Sequence, residues 1–208
     1  MPLTRSFFAA CLFVLGASAV FAGDEAAPTT ASRTEIVVSI ADQKLAVMKD
    51  GEVIRRYTIS TSRFGLGDSN NSYRTPLGKL KISQKIGDGL AAGAVMKHRN
   101  ATGEVLKPNA PGRDPIVSRI MWLDGLEAGN ANAYARCVYI HGTPDEKHLG
   151  RPVSYGCIRM SSSDVIELYA STPVGTSVSI IKDRLPSTNP LVALLATADS
   201  FLKSPSRL

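Results

Sequence analysis

The sequence predicts a mostly β fold with a single helix, and three observations predict it. Runs of β-branched or alternating residues recur at 35–40, 43–60, 120–123, 135–141 and 177–181. Asp50-Gly51 sits between two of the alternating runs, a strong hairpin signal. Only Asp164 to Ala170 carries a helical apolar pattern beside the chemically interesting segment. With 208 residues, 44% of them hydrophobic, the chain has enough apolar surface for one core, with additions at both ends.

The order of elements follows from local chemistry. Glu35-Ile36-Val37-Val38-Ser39-Ile40 is a β-branched strand. Gln43 to Lys49 alternates, with Leu45 and Val47 on one side and Lys44 and Ala46 on the other, and Val53 to Ser60 follows the Asp-Gly turn. A loop rich in Gly, Asn and Ser, Arg63 to Tyr73, leads to Thr75-Pro76-Leu77-Gly78 and a short strand from Lys79 to Gln84. Residues 85–118 are broken by Gly and Pro and keep no period, which reads as a long loop acting as a lid or as a partly ordered insertion. Ile120 to Leu123 and Ala135 to His141 read as strands. In the helix, Val165, Ile166, Leu168 and Tyr169 offer an apolar face. Ser161, Ser162 and Ser163 supply N-cap oxygens, and Asp164 and Glu167 suit the positive end of the dipole. Ser177 to Ile181 is the last strand.

Both ends read as trimmings. Arg5, the apolar stretch from Phe7 to Val20 and the small residue Ala22 have the layout of a secretory signal peptide, residues 1–22, with cleavage expected after Ala22. The apolar run is short for a membrane span. Residues 23–34 form a polar lead-in, 35–182 the ordered domain, and 183–208 a tail that is loose or holds a short helix between Leu191 and Leu202. The net charge of +6 is scattered, with no basic run interleaved with aromatics, so no nucleic-acid partner is expected.

Export sets how the cysteines are read. Cys11 leaves with the signal, and Cys137 and Cys157 remain. In an oxidising compartment, one disulfide between them is the plain reading. The alternative is catalysis. His141 ends a strand, where its side chain is held rigidly, and Cys157 precedes the helix, whose N-terminus would stabilise a thiolate. Gly156 lets the backbone bend around a substrate carbonyl, and the N–H groups of Tyr155, Gly156 and Cys157 could form an oxyanion hole. A cysteine–histidine pair within hydrogen-bond reach is the arrangement that acyl transfer needs. Alternation places Cys137, Tyr139 and His141 on one face, with Cys137 a buried strand residue. No Cys-x-x-Cys or His-x-x-x-His spacing supports a metal site, and no cofactor is expected.

The run His141-Gly142-Thr143, followed by Ser154-Tyr155-Gly156-Cys157-Ile158-Arg159-Met160, resembles the signature of the L,D-transpeptidase (YkuD-type) catalytic domain. Thr75-Pro76-Leu77-Gly78 and Gly175-Thr176-Ser177-Val178 resemble the family's strand entry and closing strand, so the likeness covers about residues 35–181. The resemblance implies a β-sandwich or barrel with the helix packed beside the cysteine turn. It implies Cys157 as thioester-forming nucleophile, His141 as its base, and the Gly142 carbonyl as the group that orients the imidazole. Arg159 is expected to order the turn or meet a stem carboxylate, and Ser154 and Tyr139 are expected to border the substrate. Implied partners are peptidoglycan stem peptides, an envelope lipoprotein as one acceptor, and carbapenem-type inhibitors, in the periplasm or cell envelope. Relatives often carry His where this chain has Tyr155, so no second catalytic histidine is assigned there.

Overall fold

The computed structural model describes residues 33–186. The signal-peptide reading of 1–22, nearly all of the lead-in, and the tail beyond 186 lie outside the described residues.

The β-branched N-terminal run forms β1 (Thr34–Ser39), and the Asp50-Gly51 turn joins β2 (Lys44–Lys49) to β3 (Glu52–Thr58) as an antiparallel hairpin. Gly51 supplies the φ of +86° that this tight turn requires. Next come β4 (Gly78–Ile86), β5 (Ala94–Lys97), β6 (Asn100–Val105) and β7 (Ile116–Gly125). The chain closes through β8 (Tyr139–Gly142), β9 (Ile158–Met160), α1 (Ser162–Ser171) and β10 (Ser177–Ile181). The strands form one mixed ten-stranded sheet in the order β3-β2-β1-β10-β4-β7-β5-β6, with β8 and β9 branching from β7. Two pairings are parallel, β1 with β10 and β8 with β9.

The branch positions the site. Strand β7 pairs with β4, β5 and β8, and a register shift between Val117 and Ile120 lets it serve all three. One core is shared by Ile36, Leu45, Leu80 and Val178 from the long arm of the sheet, Ile140, Ile158 and Met160 from the branch, and Val165 and Leu168 from α1. Sheet faces and helix are therefore sandwiched around common apolar contacts. The helix starts where Ser161 Oγ accepts the Asp164 N–H at 3.1 Å, one of the N-cap serines expected from the sequence.

Two sequence readings change. Residues 85–118 are not a structureless loop, because they contain the β5–β6 hairpin and the start of β7. Every residue of β6 is exposed, so no apolar alternation betrays it. Strand β8 begins at Tyr139 rather than Ala135, because Ala131 to Cys137 is wound into turns and Cys137 adopts φ +57°. Cys137 is thus a half-buried turn residue, and alternation does not set the direction of its side chain.

Candidate active site

Strands β8 and β9 run parallel, with His141 opposite Arg159, so the His-Gly-Thr and Gly-Cys-Ile-Arg segments meet side by side. Cys157 immediately precedes β9. A cavity of about 150 Å³ is lined by Asp114, Ile116, His141, Ser154, Tyr155, Cys157 and Arg159. The structure thus brings together five residues singled out from the sequence: His141, Ser154, Tyr155, Cys157 and Arg159.

His141 is buried, and its Nδ1 lies 2.8 Å from the Gly142 carbonyl oxygen. A carbonyl only accepts, so Nδ1 carries the proton in the neutral ring and Nε2 is left as the acceptor. Burial pulls the imidazole down to about 4, outweighing the Gly142 hydrogen bond that favours the charged form. The ring is neutral at physiological pH.

Cys137 and Cys157 are free thiols. Cys157 Sγ donates to the Cys137 carbonyl at 3.4 Å and accepts the Tyr139 N–H at 3.4 Å. Burial pushes the Cys157 thiol up to about 11, and the Tyr139 N–H only partly offsets this. The expectation of a thiolate at a helix N-terminus is therefore corrected: β9 intervenes between Cys157 and α1, and desolvation favours the neutral thiol.

The Cys157 turn is locked from three sides. Ser154 Oγ donates to the Cys157 carbonyl at 2.7 Å and accepts the Gly156 N–H at 3.2 Å. Thr75 Oγ1 donates to the Gly156 carbonyl at 3.0 Å and accepts the Ser62 N–H at 3.1 Å. Gly156 has φ +118°, and a Cβ there would lie 3.3 Å from the Arg74 carbonyl oxygen. A side chain there would be strained by the backbone conformation and would press on the Arg74 carbonyl. Ser154, expected at the substrate, spends its hydroxyl on the turn. The Gly156 amide, one of the three expected to line an oxyanion hole, is likewise engaged by the Ser154 hydroxyl.

Tyr139 departs from its expected role. Its side chain is buried edge-on against Trp122, with ring centroids 5.2 Å apart, in an apolar cluster that includes Ile120 and Met96. Its contribution to the site is the backbone N–H on Cys157 Sγ.

Arg159 is buried, ion-paired with Asp114, and lowered to about 10 by burial and by the neighbouring Arg63. Its Nε has no hydrogen-bond partner. Asp114 also accepts from the Thr143 hydroxyl, so one carboxylate ties Arg159 to the His-Gly-Thr segment. Sequence reasoning missed Asp114 and Ile116 because they sit in the aperiodic 85–118 stretch, where only folding brings them to Cys157. Thr75 could have been found, because it opens the Thr-Pro-Leu-Gly motif.

The chain belongs to the L,D-transpeptidase family. The sequence profile of the L,D-transpeptidase catalytic domain, YkuD, matches residues 33–180. The chain is 30% identical over 148 residues to the putative L,D-transpeptidase YqjB of Bacillus subtilis strain 168, covering 71% of each chain. It is 54% identical over 81 residues to the putative L,D-transpeptidase YkuD of the same organism, covering 38% of this chain and 49% of that one. Among solved structures it is similar to L,D-transpeptidase 3 from Mycobacterium tuberculosis in complex with a faropenem-derived adduct. There the TM-score is 0.47 at 20% identity, over 73% of this chain and 61% of that one.

Proposed function

We propose that the protein is a cysteine-dependent peptidoglycan L,D-transpeptidase acting in the cell envelope. The observation that carries this reading is the His141–Gly142 hydrogen bond, which leaves an unprotonated imidazole nitrogen in the cavity that holds Cys157. The thiol swings from the Cys137 carbonyl to His141, which takes its proton as sulfur attacks the carbonyl joining the third stem residue to the terminal D-alanine. The amides of Tyr155 and Cys157 receive the oxyanion. The C–N bond breaks, His141 returns the proton to the departing amine, and a thioester remains on Cys157.

In the second half-reaction an acceptor amine loses its proton to His141 and attacks the thioester. The C–S bond breaks and the thiolate is reprotonated. The acceptor is the side-chain amine of another stem, giving a 3-3 crosslink, or a lysine of an envelope lipoprotein, or water in a trimming reaction. The guanidinium of Arg159, which lines the same cavity, supplies a donor to the stem. A carbapenem would be opened by the same attack and held as a stable acyl-enzyme.

Intact-mass spectrometry after incubation with disaccharide-tetrapeptide, and separately with a carbapenem, tests this reading. The expected result is a covalent adduct on Cys157 together with free D-alanine or stem dimers. No adduct and no turnover would reject the enzyme. Export and cleavage after Ala22 are checked by N-terminal sequencing of the protein recovered from the envelope fraction; an intact Met1 would reject cleavage.

A further inference from the structure

Beside the reaction cavity lies a second hollow of about 470 Å³, lined by Asn70, Asn71, Tyr73, Ala135, Arg136 and Tyr155. Its volume falls in the range of small-molecule sites, whereas the reaction cavity is below it. Tyr155 walls both, so the two adjoin. We infer that this hollow is a subsite for an uncharged N-acetylated sugar of the glycan strand that carries the stem; the inference rests on the acyl-transfer reading above.

The lining has the chemistry of a sugar site. Tyr73 and Tyr155 of the lining are 55% and 60% exposed and cluster with Phe64, 45% exposed just outside it, the three ring centroids lying 5.5–6.0 Å apart. Such a patch leaves apolar surface in water that a ligand would cover. A pyranose has a C–H face that lies against an electron-rich ring and a rim of hydroxyls that needs both donors and acceptors. The carboxamides of Asn70 and Asn71 offer both.

The charge in the hollow is already neutralised, which selects against a carboxylate. Arg136 Nη1 lies 2.7 Å from Asp68 Oδ1, with both side chains under 10% exposed. Two further donors go to the carbonyls of Gly67 and Arg74 at 3.2 and 2.7 Å. The one cation in the lining is thus already paired with a carboxylate, and a neutral amino sugar needs no free charge.

The platform is also rigidly indexed to the nucleophile. Tyr73 is held at φ +55°, uncommon for an aromatic residue, and the Ser62 hydroxyl donates to its carbonyl at 2.5 Å. That carbonyl packs against the turn at Gly156, where a Cβ would meet it at 3.5 Å. The three residues between sugar and scissile carbonyl span roughly 10 Å when extended. Two adjoining cavities suit a ligand of that reach.

Two measurements test the subsite. In the first, the Cys157→Ala protein is titrated with tetra-N-acetylchitotetraose, which has no stem, and amide shifts are followed by NMR. Saturable shifts centred on Asn70, Asn71 and Tyr73, weakened by Tyr73→Ala and by Asn70→Ala, are expected. In the second, kcat/KM is compared for disaccharide-tetrapeptide and free tetrapeptide. The wild type should prefer the glycosylated substrate about tenfold, mainly through KM, and Tyr73→Ala should erase most of that ratio. Equal use of both substrates with no sugar shifts would overturn the subsite and leave acyl transfer standing. Saturable shifts in a protein that turns over neither substrate would support the subsite and reject the acyl-transfer reading instead.

Discussion

His141 Nδ1 and the Gly142 carbonyl oxygen lie 2.8 Å apart, so the imidazole is oriented by its own next residue. A carboxylate in that place would favour the imidazolium, whereas a carbonyl fixes the tautomer without adding negative charge. Burial then keeps the imidazole near 4 and the Cys157 thiol near 11, so between those values both groups rest neutral.

The pH profile follows from that neutral pair. kcat/KM should fall as pH drops through about 4, where His141 gains the proton that prevents it from accepting another. Thiolate absorbance of the free protein should emerge only towards pH 11. A full thiolate signal at pH 7, the mark of a preformed ion pair, would contradict this. Cys157→Ala and His141→Asn should each lower turnover by about 10³-fold or more, and only the first should abolish the acyl adduct's site of attachment.

Acid stability should carry the same signature. In the unfolded chain His141 titrates near its ordinary 6.5, against about 4 when folded. Between those values the unfolded state binds a proton that the native state does not, so stability is complete above 6.5 and is lost as pH falls towards 4. The full shift corresponds to about 3 kcal/mol. Urea denaturation of the wild type and His141→Gln at pH 7 and pH 4.5 isolates this contribution. The variant should lose less stability on acidification, and equal losses would show that the ring is not buried neutral.

Gly142 combines two duties in one position. A Cβ there would lie 2.6 Å from the Val117 carbonyl oxygen and 3.1 Å from Val165 Cγ1, so β8 would have to move away from β7 and α1. Gly142→Ala should cost about 1–3 kcal/mol by overpacking. It should also displace the carbonyl that orients His141, so kcat should fall even well below the variant's Tm. Gly129→Ala is the control, because nothing lies within 4 Å of its built Cβ. Equal behaviour of the two variants would refute the packing account.

Much of this arrangement was legible before folding is considered. The Asp50-Gly51 hairpin, β10 and the Ser161 cap follow from turn chemistry, alternation and hydroxyl capping, all local rules. His141 and Cys157 stand in contiguous motifs, and the parallel β8–β9 pairing brings those motifs together. What escaped was non-local or unpatterned. Strand β6, Asn-Ala-Thr-Gly-Glu-Val, is exposed throughout and carries no buried face to read. Ser154 and Tyr139 flank the right atoms in sequence, yet the fold turns one hydroxyl to the backbone and buries the other ring beside Trp122.

Asp114 raises the last question, because it occupies the charge of the one buried guanidinium lining the reaction cavity. Arg159 is paired with it while its Nε has no partner. If Arg159 receives a carboxylate of the stem, Asp114 competes for the same cation. Asp114→Asn keeps one oxygen to accept from Arg159, turns its NH2 towards the Thr143 hydroxyl, which can accept, and removes the competing charge. It should lower KM for the tetrapeptide several-fold with little change in kcat. Arg159→Met should raise KM and leave the Asp114 carboxylate without its cation, costing stability as a broken buried pair does, about 3–5 kcal/mol at most because Asp114 is partly exposed. Steady-state kinetics on both variants, read beside their Tm values, decides between recognition and scaffolding. A purely structural pair would lower both melting temperatures and leave KM where it was.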